Sequence, residues 1–238
     1  MLATTVARRM LSPFVPYRKM LPFMYWLHRM DGSCEPELAH LDRIGRSSGT
    51  AVDIGAHNGF YTYPLSKSFK RVYAFEINDE ITGWIHQYNP GNIEIVHCGL
   101  SSSAGVANFY IPVLHGSILS GWGSLDRDNL PEAEEHREKK VRVARLDDFG
   151  ITNIGFVKID VEGHEVEVLK GAAATIGESR PTVLIEVRDR NLPAVDSWFL
   201  NFSYQRCRLS DLVGVPGNRE NYLYVPNEQL ANFNGDGE

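Results

Sequence analysis

The stretch Ala51-Val-Asp-Ile-Gly-Ala-His-Asn-Gly59 constrains the fold of this chain more than any other. Its apolar start (Ala51, Val52, Ile54) runs into Asp53, Gly55 and Gly59, and an aromatic-rich segment follows. That order reads as a buried strand, a tight glycine turn and the start of a helix, the way α/β folds seat nucleotide-like ligands. Gly55 turns the backbone where a Cβ would clash, and Gly59 lets the helix pack close to the strand. The spacing does not suit NAD. A dinucleotide fingerprint needs G-x-G-x-x-G, whereas residues 55–60 read Gly-Ala-His-Asn-Gly-Phe. A pyrophosphate favours bare amides at a helix N-terminus, and Asp53 beside it would repel it.

S-adenosylmethionine carries a sulfonium and an ammonium and no phosphate, so a carboxylate at position 53 suits it. A second signal lies 23 residues past Asp53, where Arg71-Val-Tyr-Ala-Phe-Glu76 reads as another buried strand ending in an acid. An acid at the tip of the second strand accepts hydrogen bonds from both ribose hydroxyls. This argues against 2′-phosphorylated cofactors. The competing reading is an ordinary β-α-β unit with a solvated Glu76.

A chain of 238 residues holds one α/β domain with a full core and a modest extension. The net charge of −6 excludes recruitment of nucleic acid by the whole surface. Cys34, Cys98 and Cys207 are few, odd in number and widely spaced, which points to a reducing, cytoplasmic setting without a disulfide framework or zinc site. No apolar run is long enough to span a bilayer.

Residues 1–30 contain Arg8, Arg9, Arg18, Lys19 and Arg29, no acid, and many apolar and aromatic residues broken by Pro13, Pro16 and Pro22. Three readings compete: a cap packed on the domain, a basic aromatic segment lying on an anionic membrane at the cytoplasmic face, and an organellar presequence. Glu35–Ile44 reads as a helix with Pro36 in its first turn and Leu38, Leu41 and Ile44 as its apolar stripe. Phe60–Phe69 reads as a crossover helix, with Pro64 in its first turn. Asn78 or Asp79 caps a further helix, and Ile93–Cys98 is the third strand. Cys98-Gly99-Leu100 then falls where an adenine would lie, with Cys98 as wall.

The period shifts next. Val106–Val113 and Lys140–Ala144 read as an antiparallel strand pair. Between them lie a Gly/Ser-rich loop carrying Trp122 and the charged run Asp126–Lys139. Trp122 is a candidate for stacking on a flat acceptor, against the reading of a Trp folded back on the core. The run Glu132–Lys140 reads as a solvated helix. Gly155–Asp160 is the fourth parallel strand. It is followed by a helix whose buried face is Val166, Leu169 and Ala173. Thr182–Val187 is the fifth strand and Ala194–Phe202 its crossover helix. Tyr204–Leu209 and Asn221–Val225 close the sheet as an antiparallel edge pair. The expected organisation is an N-terminal basic, aromatic helical extension over 1–45 and a domain over 46–226. The acceptor-side loop is 114–139 and a polar tail covers 227–238.

Several of these blocks together resemble the FkbM-type methyltransferases. They are Asp53–Gly59, Ala74-Phe-Glu76, Leu146-Asp-Asp148, Lys158-Ile-Asp-Val-Glu-Gly-His-Glu165, Val168-Leu-Lys-Gly-Ala172 and Leu184-Ile-Glu186. The resemblance covers residues 35–225, and its most specific part is the Asp-Val-Glu-Gly-x-Glu block with Leu-Lys-Gly-Ala after it. It implies a class I, Rossmann-like α/β fold, with a seven-stranded, mostly parallel sheet, helices on both faces and an antiparallel last strand. It also implies S-adenosylmethionine-dependent O-methylation of a sugar, glycan or natural-product hydroxyl. The cofactor falls to Asp53, Gly55, Ala56, Asn58, Gly59 and Glu76, with Cys98 and Gly99 at the adenine end. His57 stands where the family often has Asn, and the Gly/Ser/Trp loop matches no acceptor-specific pattern.

Such a transfer needs the acceptor oxygen, methyl carbon and sulfur in line, and an aliphatic hydroxyl must lose its proton as the bond forms. Asp160, Glu162, His164 and Glu186 are the candidate bases, with His164 kept neutral at the N-terminus of the next helix. Asp160 and Glu186 end neighbouring strands and are also candidate ligands for Mg²⁺. Two other functions stay open at this point: a catalytically inactive S-adenosylmethionine-binding module and a nicotinamide-dependent oxidoreductase.

Overall fold

The computed structural model describes residues 12–46, 49–129 and 135–233. The strands are β1 (Thr50–Ile54), β2 (Arg71–Phe75), β3 (Ile93–Val96), β4 (Gly99–Leu100), β5 (Gly105–Leu114), β6 (Ser117–Ile118), β7 (Glu135–Ala144), β8 (Ile154–Ile159), β9 (Thr182–Glu186), β10 (Tyr204–Cys207) and β11 (Asn221–Pro226). Seven form one sheet in the order β10-β11-β9-β8-β1-β2-β3. β1, β2, β3, β8 and β9 are parallel. β11 runs antiparallel to both β9 and β10. The expected mostly parallel sheet with an antiparallel last strand is therefore present. From β1 the chain builds outward one way through β2 and β3, then returns to β8 and builds the other way. That reversal opens a crevice beyond the carboxyl ends of β1 and β8, where open α/β sheets bind ligands.

The strand sequences alternate between two cores, because successive side chains point to opposite faces. Ala51, Ala74, Phe156 and Leu184 belong to one core; Val52, Ile54, Val157, Ile159, Val183 and Ile185 belong to the other. The first face is covered by α1 (Met20–Asp31), α2 (Leu41–Ile44), α3 (Thr62–Ser68) and α4 (Gly83–Tyr88). The second carries α5 (Glu165–Gly171), α6 (Ala173–Ser179) and α7 (Leu192–Asn201). A short helix, α8 (Leu209–Val213), returns to the first face. α1 buries Leu21, Met24, Tyr25 and Leu27 and stops at left-handed Gly32. Leu21 shares its core with Ala51 and Leu65, so this part of the N-terminal segment packs on the domain. Residues 1–11, with Arg8 and Arg9, lie outside the described residues. No helix among the described residues is long and apolar enough to cross a membrane.

Four local expectations need correction. The segment 35–44 is a 3₁₀ turn, Pro36–Ala39, followed by α2, with the break at His40; Leu38, Leu41 and Ile44 are nonetheless the buried residues. Glu135–Lys140 is strand rather than helix. It lengthens β7, pairing from Val113↔Glu135 to Asn108↔Lys140. Its charged side chains stay largely wet, and a continuous partner strand overrides local helix propensity. Glu132–Glu134 lie outside the described residues. The helix after β8 divides at Ala172 into α5 and α6 and buries Val168, Leu169, Ala172 and Ile176; Val166 and Ala173 are only half-buried at its flank. The start of the expected tail is a 3₁₀ helix, Asn227–Phe233. Leu230 and Phe233 pack against the core, and Arg180 pairs with Glu228 at 2.8 Å.

Candidate functional site

The crevice holds a cavity of about 470 Å³. Its floor is the glycine turn after β1. Gly55 N and Ala56 N both donate to Phe75 O, at 2.9 and 3.0 Å, and Asp160 N donates to Ile54 O at 2.9 Å. These bonds lash the tips of β1, β2 and β8 together. Gly55 has φ +81°, and a Cβ there would lie 1.8 Å from the Asp160 carbonyl oxygen. Only glycine fits that approach. At Gly59 a Cβ would meet Ile85 Cγ1 at 2.6 Å and Leu21 Cδ2 at 3.0 Å. Gly59 therefore admits α4 and α1, rather than drawing its own helix onto the strand, and it lies behind the cavity wall.

Asp53, Gly55, Ala56, Asn58, Glu76, Cys98 and Gly99 all line the cavity. Asp53 is buried and its Oδ2 accepts from Thr62 Oγ1 at 2.5 Å. Burial lifts its pKa to about 6. Glu76 is pinned by two backbone amides: His57 N donates to Oε2 and Asn78 N to Oε1, each at 2.7 Å. Burial lifts it to about 7, against the pull of those amides. A carboxylate has room for about four hydrogen bonds, so both oxygens keep acceptor capacity for a diol. Asn58 Oδ1 is buried without a partner, a second spare acceptor on this side. Cys98 is wall: its thiol donates to Gly99 O at 3.2 Å, and burial raises its pKa.

Strand register assembles a second set of lining residues around Asp53. Asp53 pairs with Lys158 and Lys158 with Leu184, so all three share one sheet face; Asp160 and Glu186, two residues on, share it too. Lys158 is almost fully buried. Its Nζ lies 3.8 Å from Asp160 Oδ2, 4.0 Å from Glu186 Oε2 and 5.0 Å from the Tyr61 ring centre. Burial, the largest influence, would lower its pKa, but Asp160, Glu35, Glu186 and Asp53 together raise it. Lys158 is thus a buried ammonium. Glu186 is pushed up to about 8, by burial first and then by Asp160. Glu35 arrives ahead of α2, and its Oε2 accepts from Tyr61 OH and Asn221 Nδ2, both at 2.5 Å.

His164 caps α5 and bonds Ser101 Oγ through Nε2 at 2.9 Å. Its pKa is lowered as expected, but burial is the cause. Glu162 sits in the left-handed region at φ 50° and accepts from Arg188 Nη2 at 2.8 Å; its pKa is raised by burial. Ser124 Oγ donates to the Glu162 carbonyl at 2.9 Å, tying the Gly/Ser loop to this turn. Buried Glu165 holds the turn from below, accepting from Gly163 N at 2.6 Å and Asn191 Nδ2 at 2.9 Å. Trp122 lines the cavity and is half exposed, as a stacking platform requires and a core Trp does not. The structure therefore gathers Asp160, Glu162, His164 and Glu186 around one cavity with the cofactor-side residues, Gly59 excepted.

The residues do not fit a Mg²⁺ ion on Asp160 and Glu186. The Lys158 ammonium already lies within 4.0 Å of both carboxyl groups, and Glu186, pushed up to about 8, keeps its proton at neutral pH. A divalent cation there would face that ammonium, and among the described residues no third acid, His or Cys completes a metal-binding group. Lys158, Glu35, Tyr61 and Thr62 are site residues that sequence reasoning missed. A lysine inside the apolar run Gly155-Phe-Val-Lys-Ile159 was the available signal, because lysines are almost never fully buried unless paired. Glu35, 123 residues before Lys158, carried none.

Comparison with known proteins agrees with this architecture. Residues 53–206 match the family described as Methyltransferase FkbM domain. None of the curated proteins compared matches the chain. A methyltransferase FkbM from Methylobacillus flagellatus KT is 20% identical, with a TM-score of 0.52 over 75% of this chain and 43% of that one. This chain thus spans less than half of that protein's length. An rRNA methylase from Streptococcus thermophilus is 14% identical, with a TM-score of 0.45 over 79% of this chain and 91% of that one. A ribosomal protein L11 methylase from Lactobacillus delbrueckii subsp. bulgaricus is also 14% identical, with a TM-score of 0.44 over 79% and 75%.

Proposed function

Because this chain belongs to the FkbM methyltransferase family, we propose that it transfers the methyl group of S-adenosylmethionine to a hydroxyl of a sugar, glycan or natural product. The observation that carries the reading is a single cavity lined both by Asp53, Asn58 and Glu76 and by Lys158, Asp160 and Glu186. Glu76, held by two amides with acceptor capacity to spare, suits a ribose diol. The unpartnered Asn58 Oδ1 and buried Asp53 suit an ammonium and a nearby sulfonium. When bound, S-adenosylmethionine supplies a methyl group already activated by its positive sulfur. The glycine turn and its lashed strand tips fix the floor, the loop from Ser120 to Leu125 supplies part of the wall, and Trp122 offers a face for stacking. Asp160 is placed to accept the proton of an acceptor hydroxyl as its oxygen is methylated; S-adenosylmethionine held beside Glu76 would supply the methyl group and leave as a neutral thioether. Burial keeps His164 neutral and able to accept a proton, which makes it the second candidate base.

The test is isotope transfer from labelled S-adenosylmethionine to a panel of hydroxyl compounds. Asp160→Asn should lower turnover by about 10²- to 10⁴-fold and leave cofactor affinity within about twofold. Normal turnover in both Asp160→Asn and His164→Gln would remove the base from the account. A peripheral contact with an anionic bilayer belongs to the same reading, through exposed Phe14, Trp26 and Met30 beside Arg18, Lys19 and Arg29. Co-sedimentation with anionic but not neutral vesicles checks it.

A further inference from the structure

Among the described residues, Lys158 is a buried charge left without a hydrogen bond. It is 1% exposed, its Nζ has no hydrogen-bond partner, and it lines the cavity. Its nearest carboxylate oxygens, at 3.8 and 4.0 Å, are beyond hydrogen-bonding distance. An unmade hydrogen bond on a buried charge is costly, so an ammonium kept in this state is poised for a donor role. The acceptors around it come from separate parts of the chain. Asp160 and Glu186 end β8 and β9, and Glu35 is delivered by the N-terminal segment. Tyr61 OH and Asn221 Nδ2 both hold Glu35 by Oε2. Three acidic side chains, Glu186 with its pKa pushed up to about 8, therefore line the cavity with one cationic donor.

We propose that Lys158 and Glu35 bind the acceptor, Lys158 donating to the oxygen that is methylated and Glu35, with Glu186, accepting from neighbouring hydroxyls, and that this pole selects a neutral polyhydroxyl acceptor over an anionic one. This rests on the methyltransferase reading above. An ammonium beside the Glu35 and Asp160 carboxylates complements a polyol, which offers each oxygen as acceptor and each hydroxyl as donor. A carboxylate or phosphate on the acceptor would meet the Glu35 and Asp160 carboxylates with only one ammonium to offset them, and Glu186, pushed up to about 8, adds no positive charge. Lys158 also prepares the reacting oxygen: its hydrogen bond grows stronger as the hydroxyl gives its proton to Asp160 and negative charge develops. The N-terminal segment thereby becomes part of the acceptor pocket, since Glu35, 16 residues before the strand-turn block, lines the same cavity.

The experiment is calorimetric titration of the full chain, saturated with S-adenosylhomocysteine, with methyl glycosides, the matching uronic acids and the sugar phosphates. A neutral glycoside should bind the wild type, and its acidic counterparts should bind at least tenfold more weakly. Lys158→Gln and Glu35→Gln should each weaken the glycoside at least tenfold and leave S-adenosylhomocysteine affinity within twofold. Should Lys158→Gln fail to fold, Glu35→Gln decides, because Glu35 is only half-buried. The proposal falls if no neutral glycoside binds the wild-type complex, if the acidic analogues bind as well, or if Glu35→Gln binds normally. Failure of S-adenosylhomocysteine itself to bind would instead overturn the methyltransferase reading.

Discussion

Glu76 should make the stability of the ligand-free protein depend on pH in the opposite sense from an ordinary surface carboxylate. Burial lifts its pKa from 4.5 to about 7. The folded state therefore holds this proton more tightly than the unfolded chain. The resulting stabilisation is complete below the unfolded value and is lost as pH rises through the folded one. At about 1.4 kcal/mol per pH unit, the displacement amounts to about 3 kcal/mol. For a chain of this size that is about 6–12 °C in melting temperature. The perturbation is Glu76→Gln, which keeps the shape of the side chain but cannot ionise. Differential scanning calorimetry at about pH 5.5 and about pH 8.5, at fixed ionic strength, reads the effect. The Gln variant starts from a lower melting temperature, because its amide group faces one of the two backbone donors. The comparison is therefore between slopes. Only the part of the displacement above pH 5.5, about 1.5 units or about 2 kcal/mol, is lost across that interval, so wild type should lose about 4–8 °C more than Glu76→Gln, and a saturating cationic cofactor should narrow the gap. Parallel slopes would show that Glu76 does not titrate there and that the burial argument is wrong.

Two other substitutions probe the frame and the mouth of the cavity. Gly55→Ala places a Cβ 1.8 Å from the Asp160 carbonyl oxygen at a φ of +81°. It should cost about 3 kcal/mol or more in urea unfolding, with loss of cofactor binding. Trp122→Ala should raise the acceptor KM by about 2- to 10-fold, the worth of one aromatic contact, and leave the melting temperature unchanged because the ring is 52% exposed.

The strand-turn block and the apolar runs made the sheet legible, since they report which segments are buried and at what period. The acids at positions 53, 76, 160 and 186 were legible for a related reason: each ends or nearly ends such a run. Lys158 was hidden inside one, where a residue-by-residue reading registers only an interrupted strand. Its role depends on partners from β9 and from Glu35, and no local pattern brings those together. The metal expectation failed on the same point, because two strand-tip acids look like a ligand pair until the lysine between them is placed. Glu135–Lys140 misled in another way. Charge periodicity cannot separate a wet helix from a wet hairpin arm, and only the long pairing with β5 decides it. Gly59 was singled out correctly as a close approach, but the approaching side chains, Ile85 and Leu21, come from α4 and α1.

Calorimetric titration with S-adenosylmethionine, with NAD as control, bears most directly on the central claim that this cavity seats that cofactor through Glu76. S-adenosylmethionine should bind and NAD should not. Glu76→Gln, which removes a charged acceptor, should weaken binding by about tenfold or more. A folded protein that ignores S-adenosylmethionine, or that binds both ligands equally, would contradict the account.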